Sequence, residues 1–206
     1  MVSSYPVQFD VDFPDRPLSR LTTAFRFLVA IPIVVLLTML SGQTFGDSDH
    51  STTNELVIGG AAVFVPLVLM LVFRQKYPRW WFDWNLNLMR FSNRVTAYLA
   101  LLDDRYPSTD EDQSVHLDFP YPDARQMNRW LPLVKWFLAI PHYFVLLFLG
   151  VGALGAVALA WFAILFTGTY PRSLFDYVVG VIRWINRVNG YAFTLITDQY
   201  PPFSLR

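Results

Sequence analysis

Two matching sets of charged side chains are the candidates for chemistry in this chain. Each set has one aspartate, two arginines placed seven and eleven residues later, and an asparagine directly before the second arginine. At 100° per residue, the aspartate and both arginines fall along one line of a helix. Two guanidinium groups four residues apart can hold a phosphate between them, so each set is a candidate lipid head-group site. The sets are Asp83, Arg90, Asn93 and Arg94, and Asp176, Arg183, Asn186 and Arg187.

The same sets also allow a structural interpretation, in which their charges pair internally and fix each helix against the preceding loop. We favour that role for the aspartates and asparagines, because repeated units keep the residues that hold their fold. The arginines are kept as candidates for contact with a lipid phosphate. A tyrosine one turn beyond each set is expected to stack or to anchor at the membrane interface. The structural candidates are Asp83, Asn93, Tyr98, Asp176, Asn186 and Tyr191, and the lipid candidates are Arg90, Arg94, Arg183 and Arg187.

The segments around both sets repeat, which divides the chain into two copies. The motif Tyr-Pro-Arg-x-x-Phe-Asp occurs at 77–83 and again at 170–176, and Ala-Ile-Pro occurs at 30–32 and at 139–141. Each copy of a duplicated unit must bury the same surface, so we expect an internally repeated architecture. We place the first copy at 1–107, an acidic linker at 108–114 and the second copy at 115–206.

Each copy is expected to contain a strand, an apolar helical hairpin and an amphipathic helix, in that order. Alternating apolar and polar residues predict half-buried strands at 7–13 and 115–121, which could pair as a small sheet. Four apolar runs approach the roughly 20 residues that cross a bilayer. Two further helices combine a charged stripe with a broad apolar face, which suits the membrane interface, although a third span in each copy is the alternative. The apolar runs are 21–40, 56–73, 130–149 and 152–169, and the amphipathic helices are 80–102 and 173–196.

The predicted fold is therefore an all-α membrane protein with a small β element, built from two parallel tandem repeats with four transmembrane helices in total. The last two runs are close together, because Gly150, Gly152 and Gly155 leave little room for a loop. A re-entrant hairpin is the alternative for that pair. The basic residues of the first copy flank one side of its hairpin, while the loop at 41–55 has no Lys or Arg. The positive-inside rule then predicts a multi-pass chain with both termini in the cytoplasm.

Polar and helix-breaking residues interrupt the apolar runs at matching places. Pro32 and Pro141 are expected to kink the first helix of each hairpin. Arg26 and Lys135 are expected to snorkel to the interface. His142 is an intramembrane ionisable group and so a functional candidate by default. We expect it to be a hydrogen-bonded packing residue, because no second histidine lies at a matching depth for haem ligation.

The composition is typical of a membrane protein. Hydrophobic residues make up 54% of the 206 residues and charged residues 16%, whereas soluble domains carry about 25% charged residues. The net charge of zero argues against nucleic acid as a partner. Without cysteine, a phosphate-cradling glycine loop, a nucleophile elbow or zinc-type spacing, we predict no cofactor, no metal and no catalytic residue. The acids at 103–104 and 110–112 are expected to form a solvated linker.

The paired motifs Tyr-Pro-x-x-x-Phe-Asp and Arg-x-x-Asn-Arg-Val, with the ending Asp-Gln-Tyr-Pro-Pro-Phe at 198–203, resemble a bacterial membrane family, the domain of unknown function numbered 4389. The resemblance covers both copies. The first copy departs from the pattern by having Asn87 where the second has Gly180, which weakens Asn87 as a functional candidate. The resemblance implies a bacterial plasma-membrane protein and supplies no activity.

We therefore expect a non-catalytic accessory or scaffold subunit that packs against a larger membrane complex and contacts membrane lipids at the cytoplasmic interface. One alternative is a small transporter or channel component, which would need a polar path between the hairpins. The other is a lipid-modifying enzyme that would use Asp83 or Asp176. The apolar runs contain few polar residues and both copies keep the same stripe, so neither alternative is favoured.

Overall fold

The computed structural model describes residues 5–40, 67–109, 111 and 113–206, and this part of the chain is mostly helical with one small sheet. Residues 67–69 are helical and continue into a π-helical turn at Met70–Arg74. A 3₁₀ turn at Leu131–Leu133 lies shortly before the helix at Lys135–Leu138. The strands are β1 (Gln8–Val11) and β2 (Val115–Asp118), and the helices are α1 (Arg20–Leu40), α2 (Arg79–Leu99), α3 (Lys135–Leu138), α4 (Ile140–Thr167) and α5 (Arg172–Ala192).

The two predicted strands are present and pair with each other. They run antiparallel, with Phe9 opposite Leu117 and Val11 opposite Val115. These four side chains are buried while their neighbours along each strand are exposed, as period-two alternation predicts. β1 packs on α5 and β2 packs on α2, so each strand lies on the helix from the other half of the chain.

The two predicted amphipathic helices are present as α2 and α5, and both end before their predicted limits of 102 and 196. Each is followed closely by a leucine in the left-handed region, Leu101 with φ 64° and Leu195 with φ 55°. This conformation costs a non-glycine residue about 1–2 kcal/mol. Both leucines are buried in the core, and that burial offsets the strain. The turn directs the chain after each helix back towards α1 and α3.

Two helices in the described part of the chain are long and apolar enough to cross a membrane, α1 over Arg20–Met39 and α4 over Ile140–Thr167. The first agrees with the predicted run at 21–40. Most of the predicted run at 56–73 lies outside the described residues. The predicted break between the runs at 130–149 and 152–169 is wrong, because α4 continues through it as one helix of 28 residues. Four transmembrane helices are therefore not supported.

One of the three glycines at this expected break, Gly152, serves close packing between helices. A Cβ on Gly152 would lie 2.5 Å from the hydroxyl of Tyr177 on α5. That hydroxyl donates to the Leu149 carbonyl at 3.0 Å. A glycine inside a helix costs about 1 kcal/mol relative to alanine, which is small beside the packing that it permits here. With no polar residues between the glycines, nothing else favours a turn.

The two prolines occupy different places in their helices. Pro32 lies inside α1, where a kink was predicted. Pro141 lies in the first turn of α4. Backbone N–H groups in the first turn have no acceptor within the helix, so the proline removes no hydrogen bond of α4. The interruption in this region comes earlier, at Ala139 between α3 and α4. Pro141 therefore follows this interruption directly, and its role in kinking the helix stays a prediction.

Candidate functional site

The asparagines of the two charged sets meet where α2 crosses α5. Asn93 Nδ2 donates to Asn186 Oδ1 at 2.8 Å, and Asn186 Nδ2 donates to Asn93 Oδ1 at 2.7 Å. Each Nδ2 also donates to a carbonyl one turn back on its own helix. Both side chains are buried, so this closed amide pair satisfies polar groups that have no access to water. The pair joins the two halves of the chain at one point.

The first arginine of each set holds a strand. Arg183 Nε donates to the Phe9 carbonyl at 2.8 Å, and its Nη2 lies 2.9 Å from Asp10 Oδ1. Its Nη1 donates to the Leu205 carbonyl at 3.1 Å. Arg90 makes the equivalent contacts with β2 through the Leu117 carbonyl, at 2.9 Å, and a longer 3.4 Å contact with Asp118. Each arginine therefore fixes a strand to the helix on which it packs.

Replacing Arg183 with alanine should lower the free energy of unfolding by about 2 kcal/mol, because three hydrogen bonds from a largely buried guanidinium are lost. Arg90→Ala is the matched control. Arg90 is 37% exposed and its carboxylate contact is long, so the expected loss is below about 1 kcal/mol. Denaturant titration of both variants in detergent micelles measures the difference. Equal losses of stability in the two variants would contradict a larger contribution from Arg183 than from Arg90.

The second arginine of each set binds the chain segment that follows. Arg94 Nη1 donates to the Ser108 carbonyl at 2.8 Å. Arg187 donates to the carbonyls of Ser204 and Arg206 at 3.2 and 2.6 Å. Arg187 is 1% exposed, and this burial lowers its pKa from the usual value. Because each arginine points to a different partner, the two of a set do not form a fork for one phosphate in this arrangement. Lipid binding by these residues stays a prediction.

The aspartates of the sets do not pair with the arginines of their own set. Asp176 Oδ1 lies 3.1 Å from Arg172 Nε, one turn earlier on α5. Asp83 is exposed and makes no ion pair with another described residue. The internal salt bridge proposed from the sequence is therefore absent. Within the part of the chain that the structure describes, no group of three or more His, Cys, Asp or Glu side chains is placed to hold a metal ion.

A second group of buried polar contacts lies at the start of the apolar runs at 21–40 and 130–149. Sequence analysis did not predict its partners. Arg26 of α1 is 1% exposed, pairs with Asp104 and donates to the Tyr98 carbonyl at 2.8 Å. Its guanidinium also lies 4.5 Å from the centre of the Tyr98 ring. Asp104 in turn accepts from the backbone N–H of Ser19 at 2.7 Å. Asp104 is therefore a half-buried ion-pair partner and not part of a solvated linker.

The equivalent position in the second half uses a lysine. Lys135 is fully buried, with Nζ 2.7 Å from both Asp198 Oδ1 and the Thr197 carbonyl. The contact with Asp198 is a charge contact rather than an aligned hydrogen bond. Tyr191 places its ring 5.3 Å from the ammonium. Burial lowers the pKa of Lys135, and the Asp198 carboxylate opposes that shift.

The predicted snorkelling of these two cations is therefore wrong. Both turn inward while their apolar neighbours face out. Phe25 and Phe27 are 55% and 66% exposed on either side of Arg26, and Trp136 and Phe137 are 52% and 60% exposed beside Lys135. The signal in the sequence was the matched placement of one cation in the first apolar run of each predicted copy. The partners could not be inferred, because they lie far along the chain.

His142 has the packing environment expected for it. It is fully buried, its ring is stacked on Phe203 with centroids 4.0 Å apart, and its Nδ1 accepts from Trp184 Nε1 at 3.0 Å. An Nδ1 that accepts a hydrogen bond leaves the proton of the neutral ring on Nε2. The histidine therefore links the start of α4 to α5 and to the C-terminal segment.

The segment that carries Lys135, His142 and Asp198 also has a family match. Residues 130–204 match the family model described as Domain of unknown function (DUF4389). The DUF4389 match covers α3, α4, α5 and the segment that follows, whereas sequence analysis expected it over both copies. No curated protein and no solved structure matches the chain. The buried lysine pair and the buried histidine both lie within the DUF4389 region.

Proposed function

We propose that this chain is a non-catalytic, membrane-embedded module that acts as an accessory or scaffold subunit of a larger membrane complex. In this proposal it belongs to a bacterial plasma membrane, contacts lipids at the cytoplasmic interface and keeps both termini on the cytoplasmic side. Its charged residues hold the fold together, and its exposed apolar surfaces meet lipid and partner proteins.

The observation that carries the proposal is the inverted burial around Arg26 and Lys135. In water, a charged side chain normally lies outside and its large apolar neighbours inside. Here the cations are at most 1% exposed, while phenylalanine and tryptophan side chains next to them are more than half exposed. Such inversion stabilises a fold only where the surroundings are apolar. Lipid is the environment that meets this requirement.

The proposal includes two tandem copies of one unit. Equivalent residues support it by making equivalent contacts. Arg90 and Arg183 each hold a strand, and Asn93 and Asn186 bind one another. An aspartate after each amphipathic helix accepts from the backbone N–H that precedes an apolar run, through Ser19 in one half and Asn128 in the other. The arginines and asparagines of both copies are thus engaged within the fold, which favours a scaffold over an enzyme.

Purification from native membranes in a mild detergent tests this function. A tagged chain should stay in the membrane pellet after an alkaline carbonate wash, and should then co-purify with other membrane proteins in fixed stoichiometry. Release by the wash would contradict the membrane location. Retention in the pellet followed by recovery of the chain alone would contradict the accessory role.

A variant separates specific partners from general adhesion of apolar surface. Trp84 is 50% exposed on α2 and is available to a partner. Trp84→Ala should reduce recovery of a specific partner without changing membrane retention. Thr96→Ala, on an exposed position of the same helix, is the matched control.

A further inference from the structure

Both ends of α4 are attached to the rest of the fold, here called the polar body, which comprises the sheet, α5 and the chain from β1 to the first turn of α1. Near its start, His142 contacts Trp184 of α5. Near its end, the Phe166 carbonyl accepts from Arg20 at 3.2 Å, and the adjoining Gly168 carbonyl accepts from the Leu18 N–H at 2.9 Å. A helix of 28 residues is about 42 Å long at 1.5 Å per residue, so these two attachments are far apart. A helix that crossed the bilayer alone would contact the polar body at one end, whereas α4 contacts it at both ends.

The middle of α4 also lies beside charged groups. Leu149 and Gly152 contact Tyr177, and the residue before it, Asp176, is 57% exposed. The ion-pair partner of Asp176, Arg172, is 65% exposed, and Asp10 on β1 beside α5 is 72% exposed. If α4 crossed the bilayer, the Asp176 carboxylate and the guanidinium paired with it would lie near the bilayer centre. Insertion scales give a cost of about 2.5–3.5 kcal/mol for each such charge.

The opposite side of α4 presents a continuous apolar face. At 100° per residue its large side chains fall within about 120° of arc, away from the side that packs on α5. This face extends from Phe144 to Phe166, which is about 33 Å at 1.5 Å per residue. Each of its main residues is more than half exposed: Phe144, Phe148, Val151, Leu154, Phe162 and Phe166.

We propose that α4 lies in the plane of the membrane, with this apolar face buried in one leaflet and the polar body on the aqueous side. The inference rests on the membrane location proposed above and adds how the chain meets the lipid. Interfacial helices bury their apolar face by roughly 5–10 Å. The apolar sequence of α4 is compatible with this placement, because α5 and the sheet supply the polar side that α4 itself lacks. The acyl chains of one leaflet therefore cover the apolar face of α4.

The chain contains no cysteine, so single cysteines report the side of the membrane directly. Arg125→Cys precedes α4, Thr169→Cys follows it, and Asp176→Cys lies beside its middle, all at exposed positions. Leu154→Cys reports the apolar face, where the native side chain is 73% exposed. Each variant is treated with a membrane-impermeant maleimide in sealed cells and in inverted vesicles, after gel filtration has confirmed its fold.

The expected result is that the cysteines at 125, 169 and 176 react from the same side, and that the cysteine at 154 reacts only after detergent is added. Reaction of 125 and 169 from opposite sides would overturn the in-plane placement while leaving the membrane location intact. Protection of 176 together with 154 would overturn it as well. Reaction of 154 without detergent, combined with release by carbonate, would remove the proposed membrane location too.

Discussion

Replacing Asp198 with alanine is expected to lower the free energy of unfolding by about 3 kcal/mol. The substitution leaves the fully buried ammonium of Lys135 without a counter-charge, and breaking a buried ion pair typically costs about 3–5 kcal/mol. We place the value at the lower end because Asp198 is 26% exposed and the Thr197 carbonyl still accepts from Lys135. Denaturant titration of the purified protein in detergent micelles measures the loss.

The same variant should show a characteristic dependence on pH. Burial lowers the pKa of Lys135 in the folded state, and Asp198 opposes that shift, so its removal lowers the pKa further. A base whose folded pKa is depressed binds fewer protons in the folded state than in the unfolded state between the two pKa values. The stability of Asp198→Ala relative to the native chain should therefore rise with pH between the folded pKa of Lys135 in the variant and its higher folded pKa in the native chain, both of which lie below the unfolded value of about 10.4.

Two further variants distinguish a buried charge from general disruption. Asp118→Ala removes a carboxylate that is 79% exposed and 3.4 Å from Arg90, and it should cost below about 1 kcal/mol. Lys135→Met combined with Asp198→Ala replaces the ion pair with apolar groups and should recover most of the loss. A double variant as unstable as Asp198→Ala alone would contradict an unpaired charge as the cause.

Local patterns in the sequence were sufficient for much of the fold. Alternation at 7–13 and 115–121 predicted the strands and their pairing, and the charged stripes predicted α2 and α5. Both signals report directly which face of an element is buried. The continuity of α4 was not predictable in the same way. Glycine is compatible with a turn and also with close contact between helices. Only the position of Tyr177 on α5 shows that close contact is the role of Gly152.

The candidate site was predicted less well, because polar partners are set by tertiary contacts. The sequence placed Asp176 in line with Arg183 on one helix face, yet Arg183 binds β1 and Asp176 binds Arg172. The spacing of residues along one helix says which side chains can meet. It does not show that a nearby strand brings a backbone carbonyl and the Asp10 carboxylate within reach of Arg183. Asp104 was assigned to the solvent for the same reason. Its acidic neighbours suggested a linker, whereas the left-handed turn at Leu101 brings it to Arg26.

The second large effect is expected at the contact between the two halves. Replacing Asn186 with alanine should lower the free energy of unfolding by about 2–3 kcal/mol, because Asn93 then keeps a buried amide oxygen and one N–H without their partner. The pair is closed by bonds of 2.8 and 2.7 Å. Asn93→Ala should have a similar effect, since the two side chains occupy equivalent places. Both losses of stability are measured by thermal unfolding in detergent, monitored through the spectroscopic signal of the aromatic residues.

The double variant Asn93→Ala/Asn186→Ala decides whether the energy belongs to the pair. Removing both amides leaves no orphaned polar group at the crossing, so the combined loss should be smaller than the sum of the single losses by about 1–2 kcal/mol. Asn189→Ala serves as the matched control, because this asparagine lies one turn further along α5 and is only half-buried. Additive losses at 93 and 186 would mean that each asparagine serves its own helix. A combined loss smaller than the sum would instead show that the two asparagines act together as one contact between the halves.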